Sequence, residues 1–208
     1  MAWTATWKSF NDDNQLMKWA QCFIGEKLSS LERDVKICMG SYPPAPFPAM
    51  LYCFSIIDML GAFYCGEAHS LMRNTSKNSA TYMKDMMGYT QDDCHLLQKI
   101  FRHKLVHLAG PNSVFKYNQD KITWHYARDL PERHLQLKSL LQGIYIHPEN
   151  TRIKHKVSHQ FWMSLEKLVE DITQSVQKPN GYFSKLRADP TLKEKLDDAV
   201  WDMFSPSA

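Results

Sequence analysis

TQDDCHLLQKIFRHKLVHLAGP, residues 90–111, is the stretch on which the fold reading turns. Its apolar positions Leu97, Ile100 or Phe101, Leu105 and Leu108 recur at the spacing of one helical face. Asp92 and Asp93 fall in the first turn, where the helix dipole favours carboxylates, and Gly110-Pro111 stops the helix. Arg102, His103 and His107, with Lys104 between them, crowd into six residues of this otherwise apolar helix.

Working outward, the same helical spacing appears upstream. Residues 14–39 carry Leu16, Trp19, Phe23, Ile24, Leu28, Leu31 and Val35, with N-cap candidates among Asn11 to Asn14. GSYPPAPFP (40–48) is Pro-rich and reads as a loop. A long helix is expected from about Ala49 to Leu71, and a shorter one over 78–87, ended by Gly88. Downstream the texture changes. SVFKYNQDKITWHYA (113–127) shows two β-prone runs around Asn118-Gln119-Asp120, a hairpin pattern, and HLQLKSL, GIYIHP and RIKHKV carry β-formers. From Ser158 the pattern returns to helix through Phe161, Leu165, Leu168, Val169, Ile172 and Val176. Asn180-Gly181 breaks it, and Pro190 opens a last helix reaching about Phe204. The expectation is a mainly α single domain, 1–208, with a small antiparallel β excursion at about 113–157.

The 208 residues suffice for a substantial core, and a net charge of +3 permits nucleic-acid binding without demanding it. Five cysteines, an odd number with no Cys-x-x-Cys pair, argue against a disulfide framework. They read as reduced thiols in a cytoplasmic protein, most of them small core residues. The first residues lack the pattern of a signal peptide. The most apolar run, Met50–Tyr64, carries Asp58 and is shorter than the roughly 20 residues a membrane span needs, so a buried core helix is expected.

The Arg102–His107 segment carries the chemistry. Positions 103 and 107 share a helix face, and Arg102 is long enough to reach the same patch. His107 lies in the last turn, where the helix C-terminus favours the imidazolium. A histidine titrating near neutrality can act as acid or base, and a guanidinium offers a planar fork of donors to phosphoryl oxygens. RNA brings its own nucleophile, the 2′-hydroxyl, so such a set suits phosphodiester cleavage without a metal. A zinc reading of His103 and His107 lacks the Glu of a His-Glu-x-x-His helix and any third ligand with clear spacing. No cofactor is expected.

RHKLVH (102–107), an Arg-x-x-x-x-His with a polar residue directly after the Arg, resembles the signature of the HEPN superfamily. It lies near the C-terminal end of a helix, where that family places it, and an earlier apolar helix carries an acid, Asp58. The resemblance implies a helical bundle and a metal-independent endoribonuclease of the kind found in toxin–antitoxin and phage-defence systems. It implies a homodimer with a composite site, and an antitoxin or other regulatory protein as partner. Arg102, His103 and His107 map onto the motif's Arg, its following polar residue and its His. Some members carry a Tyr two residues after the His as a modification target; here position 109 is Ala, so such control is not expected.

Around that core, Asp58 needs a partner inside its apolar helix and is assigned to orient Arg102, with Glu67 ranked behind it. Lys104 and Lys99 lie near the same helix end and are the candidate RNA-phosphate contacts. RIKHKVSH (152–159) is basic and would extend an RNA path. Trp124 and Tyr126 alternate with His125 and read as core packing ahead of base stacking. A non-catalytic module that holds RNA, a nucleotide or a protein through the same basic patch is the alternative function.

Overall fold

The computed structural model describes residues 9–66, 71–103, 113–128, 130–146 and 152–204. The chain is mainly helical with one small sheet. In order come α1 (Asp13–Gly40), α2 (Pro46–Cys65), α3 (Leu71–Tyr82, continued by a π turn Met83–Met87) and α4 (Gln91–Leu97, continued by a π turn Gln98–Arg102). Strands β1 (Phe115–Tyr117), β2 (Asp120–Tyr126), β3 (Gln136–Ile146) and β4 (His155–Met163) follow, then α5 (Leu165–Gln177), α6 (Tyr182–Ala188) and α7 (Pro190–Phe204).

Local chemistry sets the helix ends. The Asp12 carboxylate accepts the Gln15 N–H at 2.8 Å, while Gln15 Oε1 accepts the Asn11 N–H at 2.7 Å, a reciprocal cap at the start of α1. Ser164 Oγ accepts the Lys167 N–H at 3.2 Å and starts α5. Asp189 Oδ1 accepts the Thr191 N–H at 2.9 Å, with Pro190 in the first helical position of α7. Pro46 plays the same part in α2, so the Pro-rich stretch expected to be loop throughout is already helical at its end.

Three further boundaries differ from expectation. The apolar helix stops at Cys65, and a separate helix begins at Leu71, before the expected 78. Helix α6 occupies a stretch whose seven residues are too few to show a period. The helix expected from Ser158 begins only at Leu165, because Ser158 to Met163 extend β4.

The sheet has the order β1-β2-β4-β3 and is mixed, which corrects the antiparallel expectation. The β1–β2 hairpin turns at Asn118, whose φ of 54° is one a short polar side chain tolerates. Strand β4 lies between β2 and β3, antiparallel to β3 and therefore parallel to β2, with Ile122 opposite His159 and Trp124 opposite Phe161. Alternation along a strand reveals its two faces but not its partner's direction, so the parallel pair was hidden. Residues 140–143 of β3 stand opposite Ser158 alone, a wide irregularity that Gly143 closes at a φ of 62°.

Contacts divide the chain into two compact units, each assembled from separated segments. The first draws on α1 up to Arg33, on Phe54–Gln91 and on the chain from Ile172 onward. Its core includes Ile24, Leu28, Leu31, Phe54, Leu60, Phe63, Tyr82, Tyr182 and Leu196, and Tyr82 shares a 2.8 Å buried hydrogen bond with Ser175. The second comprises Asp34–Cys53 and Asp92–Asp171. There the inner face of the sheet meets helices: Trp124 stands edge-on to Phe101 at 5.3 Å and to Phe47 at 6.3 Å, and the Tyr126 hydroxyl donates to Glu166 at 2.8 Å. Trp124 and Tyr126 are thus packing residues, as expected, and His125 between them is exposed.

Helix α2 has 20 residues and, among the described residues, is the one helix long and apolar enough to cross a membrane. Its length gives no argument against a span. Burial does: 56% of its apolar stretch lies inside the protein, as in a core helix. Of the cysteines only Cys53 and Cys94 are buried, while Cys22 is exposed and Cys38 and Cys65 lie between, fewer core thiols than expected.

Candidate functional site

Helix α4 runs into the motif with Cys94, Leu96, Leu97, Ile100 and Phe101 buried, so Leu97, Ile100 and Phe101 of the expected stripe are core residues, while Leu105 and Leu108 lie outside the described residues. Asp92 and Asp93 occupy its first turn as anticipated, and Asp92 has a second task. It receives the Tyr117 hydroxyl, a bond that, with some burial, pushes that phenol up to about 12 and ties the hairpin to the helix start.

At Gln98 the helix widens. Over Gln98–Arg102 the backbone is a π turn, and the His103 N–H donates to the Gln98 carbonyl, five residues back. Ile100 and Phe101 remain fully buried, while Arg102 and His103 are half-buried and Lys99 is exposed. The extra residue in the turn rotates Arg102 and His103 relative to the stripe that an uninterrupted α-helix would continue. Phe101, wedged against Trp124, fixes that rotation from the sheet side. Such π turns within α-helices occur often at functional sites. His107, Lys104 and Glu67 lie outside the described residues.

Asp58 is half-buried on α2 in the first unit, and the Ser79 hydroxyl of α3 donates to its carboxylate. Ser79 is itself buried and also donates to the Thr75 carbonyl. Gly61, one turn beyond Asp58, makes this pairing possible: a Cβ there would stand 2.8 Å from the Asn78 carbonyl carbon and 2.9 Å from Ser79 N. Arg102 belongs to the second unit.

Among the described residues no group of three His, Cys, Asp or Glu side chains is placed to hold a metal ion. No protein-family model, curated protein or solved structure matches the chain.

Two groups of functional interest were not singled out from the sequence. His134 is almost completely buried; its Nδ1 accepts the Ser164 N–H at 3.1 Å, and its Nε2 lies 3.8 Å from Asp171 Oδ2. Burial lowers its pKa to about 4 despite the neighbouring Asp171 carboxylate, so the ring is neutral at pH 7. Trp162, on the outer face of β4, collects basic groups: Arg133 at 4.7 Å, Lys138 at 5.1 Å and the His125 ring at 4.3 Å from its own. The signal was present in HKVSHQFW (155–162), where alternate residues are polar, but it identifies a face only once β4 is known to continue to Met163.

Proposed function

We propose that this protein is a metal-independent endoribonuclease of HEPN type, acting as a homodimer. The observation that carries the reading is the emergence of Arg102 and His103, partly accessible, from a π turn whose neighbours Ile100 and Phe101 are locked in the core. In the proposed reaction the 2′-hydroxyl oxygen attacks the adjacent phosphorus while His107 takes its proton. The 5′-oxygen leaves with a proton returned from imidazolium, so the products are a 2′,3′-cyclic phosphate end and a 5′-hydroxyl end. Arg102 donates to the non-bridging oxygens, where charge grows, and His103 assists. Lys99, exposed one turn before His103, and Lys104 hold flanking phosphates. An antitoxin-like partner would act by covering this segment.

The test is cleavage of total RNA in excess EDTA by the wild type and by the Arg102→Ala and His107→Ala variants. The proposal expects EDTA-resistant cleavage that falls by at least about a hundredfold in either variant, the usual scale for loss of an acid–base group. Loss of activity with EDTA, or full activity in both variants, overturns it. A non-catalytic RNA-binding module is favoured by one observation, the basic outer face of the sheet, and would show binding with no turnover on any RNA.

A further inference from the structure

We infer that the outer face of the sheet is a binding track for single-stranded RNA. The pairing register assigns its residues. Lys116 stands opposite Lys121, His125 and Gln136 opposite Trp162, Lys138 opposite Gln160, and Tyr145 opposite Lys156. Partners in register share a face, and this one is opposite to the face carrying Ile122, Trp124, Phe161 and Met163. Lys116, His125, Lys138, Tyr145 and Lys156 are exposed.

The charge on this face has one sign. No Asp or Glu occupies any of these register positions. Two carboxylates border it: Asp120, which accepts the Ser158 hydroxyl at 2.8 Å and lies 3.8 Å from His159, and Glu132, 3.9 Å from Arg133 Nε. Lys116, Lys121, Lys138, Lys156 and Arg133 therefore outnumber them. Folding has placed like charges side by side, which repel unless a polyanion lies across them. Between Lys121 and Lys156 the irregularity of β3 opens a cleft of about 470 Å³, lined also by Ser158 and Gly143, within the size range of small-ligand pockets.

Aromatic rings interrupt the cations. Trp162 carries Arg133 and Lys138 against its ring, which holds both charges in place before any ligand arrives. At the other end Tyr145 is 57% exposed, and Lys154 Nζ lies 4.0 Å from its ring centre. Cations that track a backbone, interleaved with rings on which bases stack, are the pattern that holds single strands; a duplex keeps its base faces stacked internally. The choice of RNA over DNA rests on the ribonuclease reading above, whereas the charge pattern does not.

The test uses the full chain and fluorescent oligouridylate of about 20 nucleotides, followed by anisotropy from about 50 mM to about 200 mM salt. The comparison is a triple variant, Lys121→Glu, Lys138→Glu and Lys156→Glu, and a milder Lys138→Gln, Lys156→Gln pair, with thermal melting to confirm folding. The expected result is RNA affinity at least tenfold weaker in the triple variant and intermediate in the pair. The logarithmic salt slope should shrink by about 2, the value for three phosphate contacts on a single strand. Unchanged affinity in both variants overturns the proposal. So does a wild type that ignores RNA but binds phosphatidylserine vesicles, because Leu141 is fully exposed in the irregularity of β3 that lines the cleft. Binding that behaves as expected, with no cleavage in EDTA, would defeat the ribonuclease reading and leave this one standing.

Discussion

His134 shows how much one side chain can tie together. Its neutral Nδ1 receives the N–H of Ser164, the residue whose hydroxyl starts α5. Burial lowers its folded-state pKa from 6.5 to about 4, so the unfolded chain binds the extra proton first as pH falls. Stability from this group is complete above the unfolded value and is lost progressively as pH drops from 6.5 through about 4, up to about 3 kcal/mol. Melting curves at pH 7 and pH 5 should therefore show a drop for the wild type. In His134→Asn, which cannot titrate, the drop should be clearly smaller; equal drops would show that His134 is not the group responsible. The sequence did not single out His134, because nothing local says that a ring before a strand will be buried. Asp58 is the converse case: the need for a partner was legible from its apolar surroundings, whereas Ser79, on another helix, was not.

At the scale of elements, two glycines in helices make a controlled pair. Gly61 lies where α3 crosses α2, and an added methyl group would meet backbone atoms at 2.8 to 2.9 Å that cannot swing aside. Gly61→Ala should cost about 1–3 kcal/mol in chemical denaturation. Gly25, in α1, has nothing within 4 Å of an added Cβ, and Gly25→Ala should stabilise by about 0.5–1 kcal/mol through helix propensity alone. If Gly61→Ala proved neutral, the close approach of the two helices would be mistaken. Long amphipathic elements were the ones the sequence disclosed: α1 lies within a residue of its expected ends, and α7 matches from Pro190 to Phe204. What stayed hidden was of another kind. A π turn inserts one residue and shifts the phase of the apolar repeat, but at Gln98 the only trace is that Ile100 and Phe101 fit the stripe equally well, too brief a signal to reveal the widening. Strand β4 was cut short because Phe161 and Leu165 fit a helical repeat as well as a strand that ends where a helix begins.

For the whole molecule, the proposed homodimer makes a prediction that a single-chain enzyme would not. One motif supplies one Arg and at most two His, and a two-fold axis would double them. Mixing an inactive His107→Ala chain with wild type should lower ribonuclease activity by more than dilution does, and sulfate should favour the dimer in sedimentation at low micromolar concentration by screening the paired cations. Full activity from a strict monomer would end the composite-site idea. At this scale the sequence disclosed a mainly helical chain with a β region after residue 113, because composition and period change there. It did not disclose that contacts gather into two units, since neither unit is a continuous stretch and no linker marks a boundary.

That interleaving bears on how the protein is made. The first unit needs α1 up to Arg33, the stretch Phe54–Gln91 and the chain from Ile172 onward, with residues 34–53 and 92–171 of the second unit lying between them in sequence. The Ser9 N–H meets Asp197 at 2.7 Å and Lys193 meets Asp13 at 2.6 Å, so contacts that close this unit join its earliest described residues to its last helix. A ribosome emits the chain in order. Trp19 and Phe23 of α1 find Phe63 of α2 early, but their contacts with Phe204 must wait while everything between is synthesised, and loop closure over such distances is slow. Until α7 arrives, Trp19 and Phe23 present an incomplete apolar surface for chaperones to hold.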